Sequence, residues 1–120
     1  MGSGMRTSYT TLLDSLSRQR GVRASLVVAE HDGLVVDANL RFGQEGERVA
    51  ALAASLYRKA RKSSSAALLG SVAFLQLDAE HGRILAAGGR GELVIVVVAE
   101  PSANVGMIRV ELLKALESLE

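Results

Sequence analysis

The sequence predicts an α+β domain, a sandwich of helix, five-stranded antiparallel sheet and helix, and three observations carry that expectation. Leu93 to Ala99 is an unbroken aliphatic run with no polar alternation, the pattern of a strand covered on both faces. The other apolar runs fall in pairs separated by short turn signals, which favours hairpins over crossovers. Three amphipathic stretches, one near each end and one in the middle, supply the helices that must cover such a sheet. At 120 residues the chain is long enough for one core and too short for two.

Met1 to Gly4 read as an expression scar before a natural initiator at Met5, which leaves 5–120 as the domain. Thr7 or Ser8 suits the cap of a first helix in which Tyr9, Leu12, Leu13 and Leu16 share a face, with Gly21 as its stop. Val22 to Glu30 is strand-like, with Ala24, Leu26 and Val28 on one side and Val27 and Ala29 on the other. His31-Asp32-Gly33 predicts a tight turn into a return strand at Leu34 to Ala38, because both Asp and Gly tolerate positive φ.

A second helix is expected from about Gln44 to Lys62, where Ser63-Ser64-Ser65 ends it. Its acidic start (Glu45, Glu47) and basic end (Arg58, Lys59, Arg61, Lys62) complement the helix dipole. Val49, Leu52, Leu56 and Ala60 form the expected core stripe, yet Ala50, Ala51, Ala53, Ala54 and Tyr57 carry apolar character further round the cylinder. One sheet face cannot cover both rows, so the second row is expected to meet a partner helix. Ser71 to Asp78 and Arg83 to Ala87 then pair through a turn at Ala79-Glu80-His81-Gly82, and Gly88-Gly89-Arg90-Gly91 leads into the buried strand. After Pro101, Ser102 or Asn104 caps a closing helix whose stripe is Val105, Ile108, Leu112, Leu116 and Leu119, with Glu111, Lys114 and Glu117 in water.

Fourteen basic against thirteen acidic residues make too weak a field to argue for nucleic acid. With no cysteine, neither a disulfide framework nor a thiolate metal site is possible. No apolar run approaches the ~20 residues of a membrane-spanning helix, and a cytoplasmic location is expected. Gly88-Gly89-Arg90-Gly91 lacks the Lys-Ser/Thr of a phosphate-binding loop and precedes a strand, so it reads as a flexible hairpin. His31 and His81 sit in turns without ligand spacing. No Gly-x-Ser-x-Gly elbow is present. No metal, no cofactor and no enzyme active site are expected.

The opening helix with Gly21, the segments ASLVVAEHDGLVVDANL, ERVAALAASLYRKA and GSVAFLQL, and the ending LVIVVVAEPSANVGMIRVELLKAL together resemble the Roadblock/dynein light chain family. The resemblance covers Thr7 to Leu119, and in bacteria the family appears as stand-alone, Mgl-type regulators of Ras-like GTPases. The last segment is the most specific, since its proline, asparagine and glycine fall at the strand-to-helix corner as the family has them. The resemblance implies strand order 2-1-5-4-3, with the second helix on one face and the first and third on the other. It implies a two-fold homodimer that joins edge strands and second helices, burying Ala50, Ala54 and Tyr57 with Val72, Phe74 and Gln76; Ala54→Asp should then give monomers. It also implies a non-enzymatic adaptor that binds a small Ras-like GTPase and modulates GTP hydrolysis by positioning the GTPase's own switch loops. Arg58, Lys59, Arg61 and Lys62 would meet an acidic partner patch or an anionic membrane surface. The alternative is a light-chain-like dimerisation scaffold without effect on GTP turnover. A small-molecule sensor fits less well, because the core offers few polar groups to line a pocket.

Overall fold

A computed structural model describes residues 3–41, 45–88 and 92–119. Its elements are α1 (Ser3–Ser17), β1 (Val22–Ala29), β2 (Val35–Leu40), α2 (Gly46–Ala66), β3 (Leu75–Ala79), β4 (Gly82–Gly88), β5 (Leu93–Ala99) and α3 (Val105–Leu119). The strands form one antiparallel sheet in the order β2-β1-β5-β4-β3, so the expected sandwich and strand order both hold. The aliphatic run of β5 lies in the middle and needs two covers. Ile95 and Val97 pack under Leu13, Leu16, Ile108 and Leu112 of α1 and α3, while Val94 and Val96 pack under Ala50, Ala53, Ala54 and Tyr57 of α2. Each large aliphatic side chain enclosed this way contributes about 1.5–3 kcal/mol relative to exposure.

α3 begins as the sequence predicts. Asn104 is its cap: the Asn104 Oδ1 atom accepts the Met107 N–H at 3.1 Å, satisfying one donor of the first turn. α1 starts at Ser3, so Thr7 and Ser8 lie inside it and neither caps it. One polar knot ties α1 to the sheet. The buried Ser25 hydroxyl of β1 donates to the Leu13 carbonyl at 3.0 Å and lies 2.9 Å from the Ser17 hydroxyl, so this serine is enclosed with its polar atom satisfied.

The β1–β2 connection is a five-residue loop, 30–34, in which only Gly33 has positive φ, at 73°. Asp32 instead uses its carboxylate, accepting the Leu34 N–H at 3.1 Å. A Cβ on Gly33 would come within 3.1 Å of Ala51 Cα, so the loop rests directly on the backbone of α2. β2 accordingly runs one residue later than expected at its start and two later at its end.

α2 continues through Ser63, Ser64 and Ser65 to Ala66. Serine is only mildly unfavourable inside a helix, and termination waits for Leu68, which takes φ 61°. The Leu69 N–H reaches the Ser64 carbonyl at 2.9 Å and the Leu68 N–H reaches that of Ser65 at 3.0 Å, the bond pair of a Schellman cap. β3 starts at Leu75 instead of Ser71, and Tyr57 explains why. Its hydroxyl accepts the Gly88 N–H at 3.0 Å and donates to the Val72 carbonyl at 3.3 Å. A side chain therefore bridges the two backbones at the point where the β3–β4 ladder would have extended. Gly88 leaves room for it, since a Cβ there would lie 2.5 Å from the hydroxyl.

Burial raises the Tyr57 pKa above its ordinary 10.0, only partly offset by the Gly88 hydrogen bond. A raised phenol value means that the folded state holds the proton more tightly than the unfolded chain. The stabilisation is therefore complete below pH 10 and is lost as pH climbs through the raised value. Tyr57→Phe should cost about 1–2 kcal/mol in urea unfolding near neutral pH, because it leaves a half-buried N–H and carbonyl without their partner. The same variant should also lose less stability than the parent above pH 10.

Candidate interaction surface

The two apolar rows of α2 exchange the roles expected of them. Ala50, Ala53, Ala54 and Tyr57 are the core row, between 0 and 3% exposed within a single chain. Val49, Leu56 and Ala60 are half-buried, and Leu52 is 62% exposed. The expected dimer contacts Ala50, Ala54 and Tyr57 are thus enclosed by their own sheet and present no surface. The physical reason is distance. Alanine lets the helix axis settle close to the strands, whereas the larger Val49 and Leu56 fit only at its flank. Spacing alone does not separate the rows, since both recur at helical intervals. Arg58 and the Gly33 contact at Ala51 hold one flank over the β1–β2 loop, and Val49, Leu56 and Ala60 lie on the opposite flank of the helix.

Val72 and Phe74, expected on the edge strand, belong to the extended segment before it. Val72 packs on the α2 side and Phe74 on the α3 side. The Arg109 guanidinium sits 4.7 Å from the Phe74 ring centroid, a cation–π contact that pins this segment to α3. Gln76 does lie on β3 and is exposed, with its amide 3.1 Å from both Asp78 carboxylate oxygens. Among the described residues β3 has β4 on one side and no strand paired on the other, and Leu77 is 39% exposed on it. The sequence singled out neither Leu52 of α2 nor Leu77 of β3 as surface.

The basic run also divides. Arg58 donates through Nη1 to the Glu30 and His31 carbonyls, and Arg61 pairs through Nη1 with the Glu30 carboxylate. Both are therefore anchored to the end of β1. Lys59 and Lys62 are exposed and have no ion-pair partner among the described residues. Arg58, Arg61 and Lys62 line an open groove of about 680 Å³ between the end of α2 and residues 70–72. His81 pairs with Glu80 at 3.0 Å in a fully solvated turn, and His31 is exposed. Among the described residues no three His, Cys, Asp or Glu side chains cluster, and no helix is long and apolar enough to cross a membrane. Gly89, Arg90 and Gly91 lie outside the described residues.

Fold and surface together define a class, a small helix–sheet–helix domain whose open sheet ends in the edge strands β2 and β3 and whose second helix is partly uncovered. A family model described as the Roadblock/LC7 domain matches residues 9–99, and the chain belongs to that family. An uncharacterized protein of Methanocaldococcus jannaschii, MJ0714, is 31% identical over 109 residues, covering 91% of each chain. A Roadblock/LC7 domain from Streptomyces avermitilis shares the fold with TM-score 0.82 at 19% identity, covering 91% of this chain and 92% of that one. MglB of Myxococcus xanthus does so with TM-score 0.84 at 14% identity, covering 94% and 85%.

Ala54→Asp should now unfold the domain instead of splitting a dimer. An unpaired carboxylate against Leu26 and Val96 costs several kcal/mol, a large part of the ~5–15 kcal/mol that stabilises a domain. Circular dichroism should lose its cooperative melt, and the chain should not appear in light scattering as a folded monomer.

Proposed function

We propose that this protein is a non-enzymatic regulator of a small Ras-like GTPase in the cytoplasm and acts as a homodimer. Family membership and the MglB-like fold support the class. The observation that carries the dimer is the edge position of β3 together with the outward Leu52 of α2 and the part-exposed Leu77 of β3. An open edge left bare is a template for further strand pairing, and a two-fold axis through β3 would pair it while bringing two α2 flanks together. Leu52, Leu56 and Leu77 would then replace Ala50, Ala54 and Tyr57 as the seam, with Gln76 kept from the expected set.

Two α2 helices side by side would make a platform edged by Lys59. Such a platform needs no catalytic side chain. It can hold the GTPase's switch loops in the arrangement that hydrolysis requires, where positioning and charge stabilisation set the rate. Mixing the purified protein with a small GTPase from the same source and following phosphate release tests this reading. Acceleration supports it, and binding with an unchanged rate would instead favour a structural scaffold.

The double variant Leu52→Asp and Leu77→Lys should stay folded, since both side chains are exposed. Its mass in light scattering should fall from about twice the chain mass to 12.6 kDa, with any stimulation of phosphate release reduced about tenfold or more. A dimer that survives both changes would refute the seam.

A further inference from the structure

We propose that the groove at the end of α2 docks an acidic segment of a partner protein, with Leu68 and Leu69 as an apolar lip beside the cations. The proposal goes beyond the GTPase reading and holds whether or not the chain dimerises. It starts from an oddity of the α2 cap. Leu68 occupies the cap position with φ 61°, where glycine is the common residue because it carries no Cβ penalty. The cap itself is complete: both Schellman bonds are made, and the Ser64 hydroxyl donates to the Gly70 carbonyl at 2.6 Å. Glycine would make the same bonds without strain. Nor does the side chain repay the strain by packing, for Leu68 is 92% exposed and Leu69 is 78% exposed. Strain of this kind, held by a well-bonded frame and unused by the fold, points to a role outside it.

The neighbourhood says what the role is. Arg58, Arg61 and Lys62 line the groove together with Leu68 and Val72. Its ~680 Å³ falls within the range of ligand clefts. Both guanidinium groups are oriented through Nη1 alone, Arg58 to the Glu30 and His31 carbonyls and Arg61 to the Glu30 carboxylate, which leaves Nη2 and Nε of each without a partner among the described residues. Glu30 is the one carboxylate on the lining, and three cations outweigh it and the negative end of the helix. The unmet charge is positive and forked, and carboxylates match that geometry. The leucines add an apolar contact at the rim. A flat lipid surface would reach the leucines and the exposed Arg61 but not the half-buried Arg58 held at the Glu30 and His31 carbonyls, so a protein segment carrying carboxylates and an apolar side chain fits better.

The probe is a fluorescein-labelled peptide of repeating Glu-Glu-Leu, read by fluorescence anisotropy against the parent chain, Leu68→Gly and Lys62→Glu. A Lys-Lys-Leu peptide serves as the charge control. Binding of the acidic peptide alone, weakened by salt, is expected, with about tenfold loss in each variant. Leu68→Gly should at the same time raise Tm, so its lost binding cannot be a folding defect. Amide chemical-shift changes in the parent should centre on residues 65–72 and Glu30. Equal binding of both peptides, or undiminished binding by Leu68→Gly, overturns the proposal. So does Leu68-dependent binding to mixed phosphatidylcholine and phosphatidylserine vesicles in preference to the peptide. A fall in oligomer mass on Leu68→Gly overturns it as well, because the leucines would then belong to a self-association seam.

Discussion

The close seating of α2 on the sheet is the constraint on which the rest of the molecule depends. Only because Ala50, Ala53 and Ala54 present little more than a Cβ can the helix lie near enough for Tyr57 to reach past the strands to Gly88 and Val72. That reach ends the β3–β4 ladder at Leu75 and leaves a short edge strand. The same seating brings the Ala51 backbone against Gly33 and swings Arg58 and Arg61 over the end of β1. Interiors packed at crystal-like density transmit a choice of small residues into the placement of distant ones. Here the alanines decide which leucines are left outside.

The elements whose chemistry is local were legible in the sequence. β5 announced itself by an aliphatic run with no wet face, and α3 by a proline corner followed by Asn104, whose side chain makes the cap. The exposed turn histidines were equally plain. The parts that stayed hidden depend on three-dimensional fit. Two rows of α2 compete at the same helical spacing, and hydropathy favours Val49, Leu52 and Leu56 while geometry favours the alanines and Tyr57. The start of β3 was obscured because a hydroxyl from 15 residues earlier interrupts the ladder, and no pattern within residues 71–78 records that. The end of α2 was placed too early because its cap carries leucine where glycine would have marked it.

The basic run shows how far composition alone misleads. As a string, Arg58, Lys59, Arg61 and Lys62 read as one solvated cluster at a helix end. In space Arg58 and Arg61 brace the end of β1, Lys59 faces outward and Lys62 stands at a groove. Exposed pairs such as Arg61 with Glu30 contribute ~1 kcal/mol or less to stability. Their larger effect is to fix where the guanidinium forks point.

The segment leading into β3 is held from above and below at once, with Val72 tethered by the Tyr57 phenol and Phe74 lying under the Arg109 guanidinium. A ribbon fastened on both sides does not peel away easily, which disfavours strand exchange between molecules. Copies that joined there would meet as finished domains, without any opening step. Their assembly would then be governed by encounter and dissociation alone, and mixed populations would trade partners on the timescale of release instead of that of unfolding.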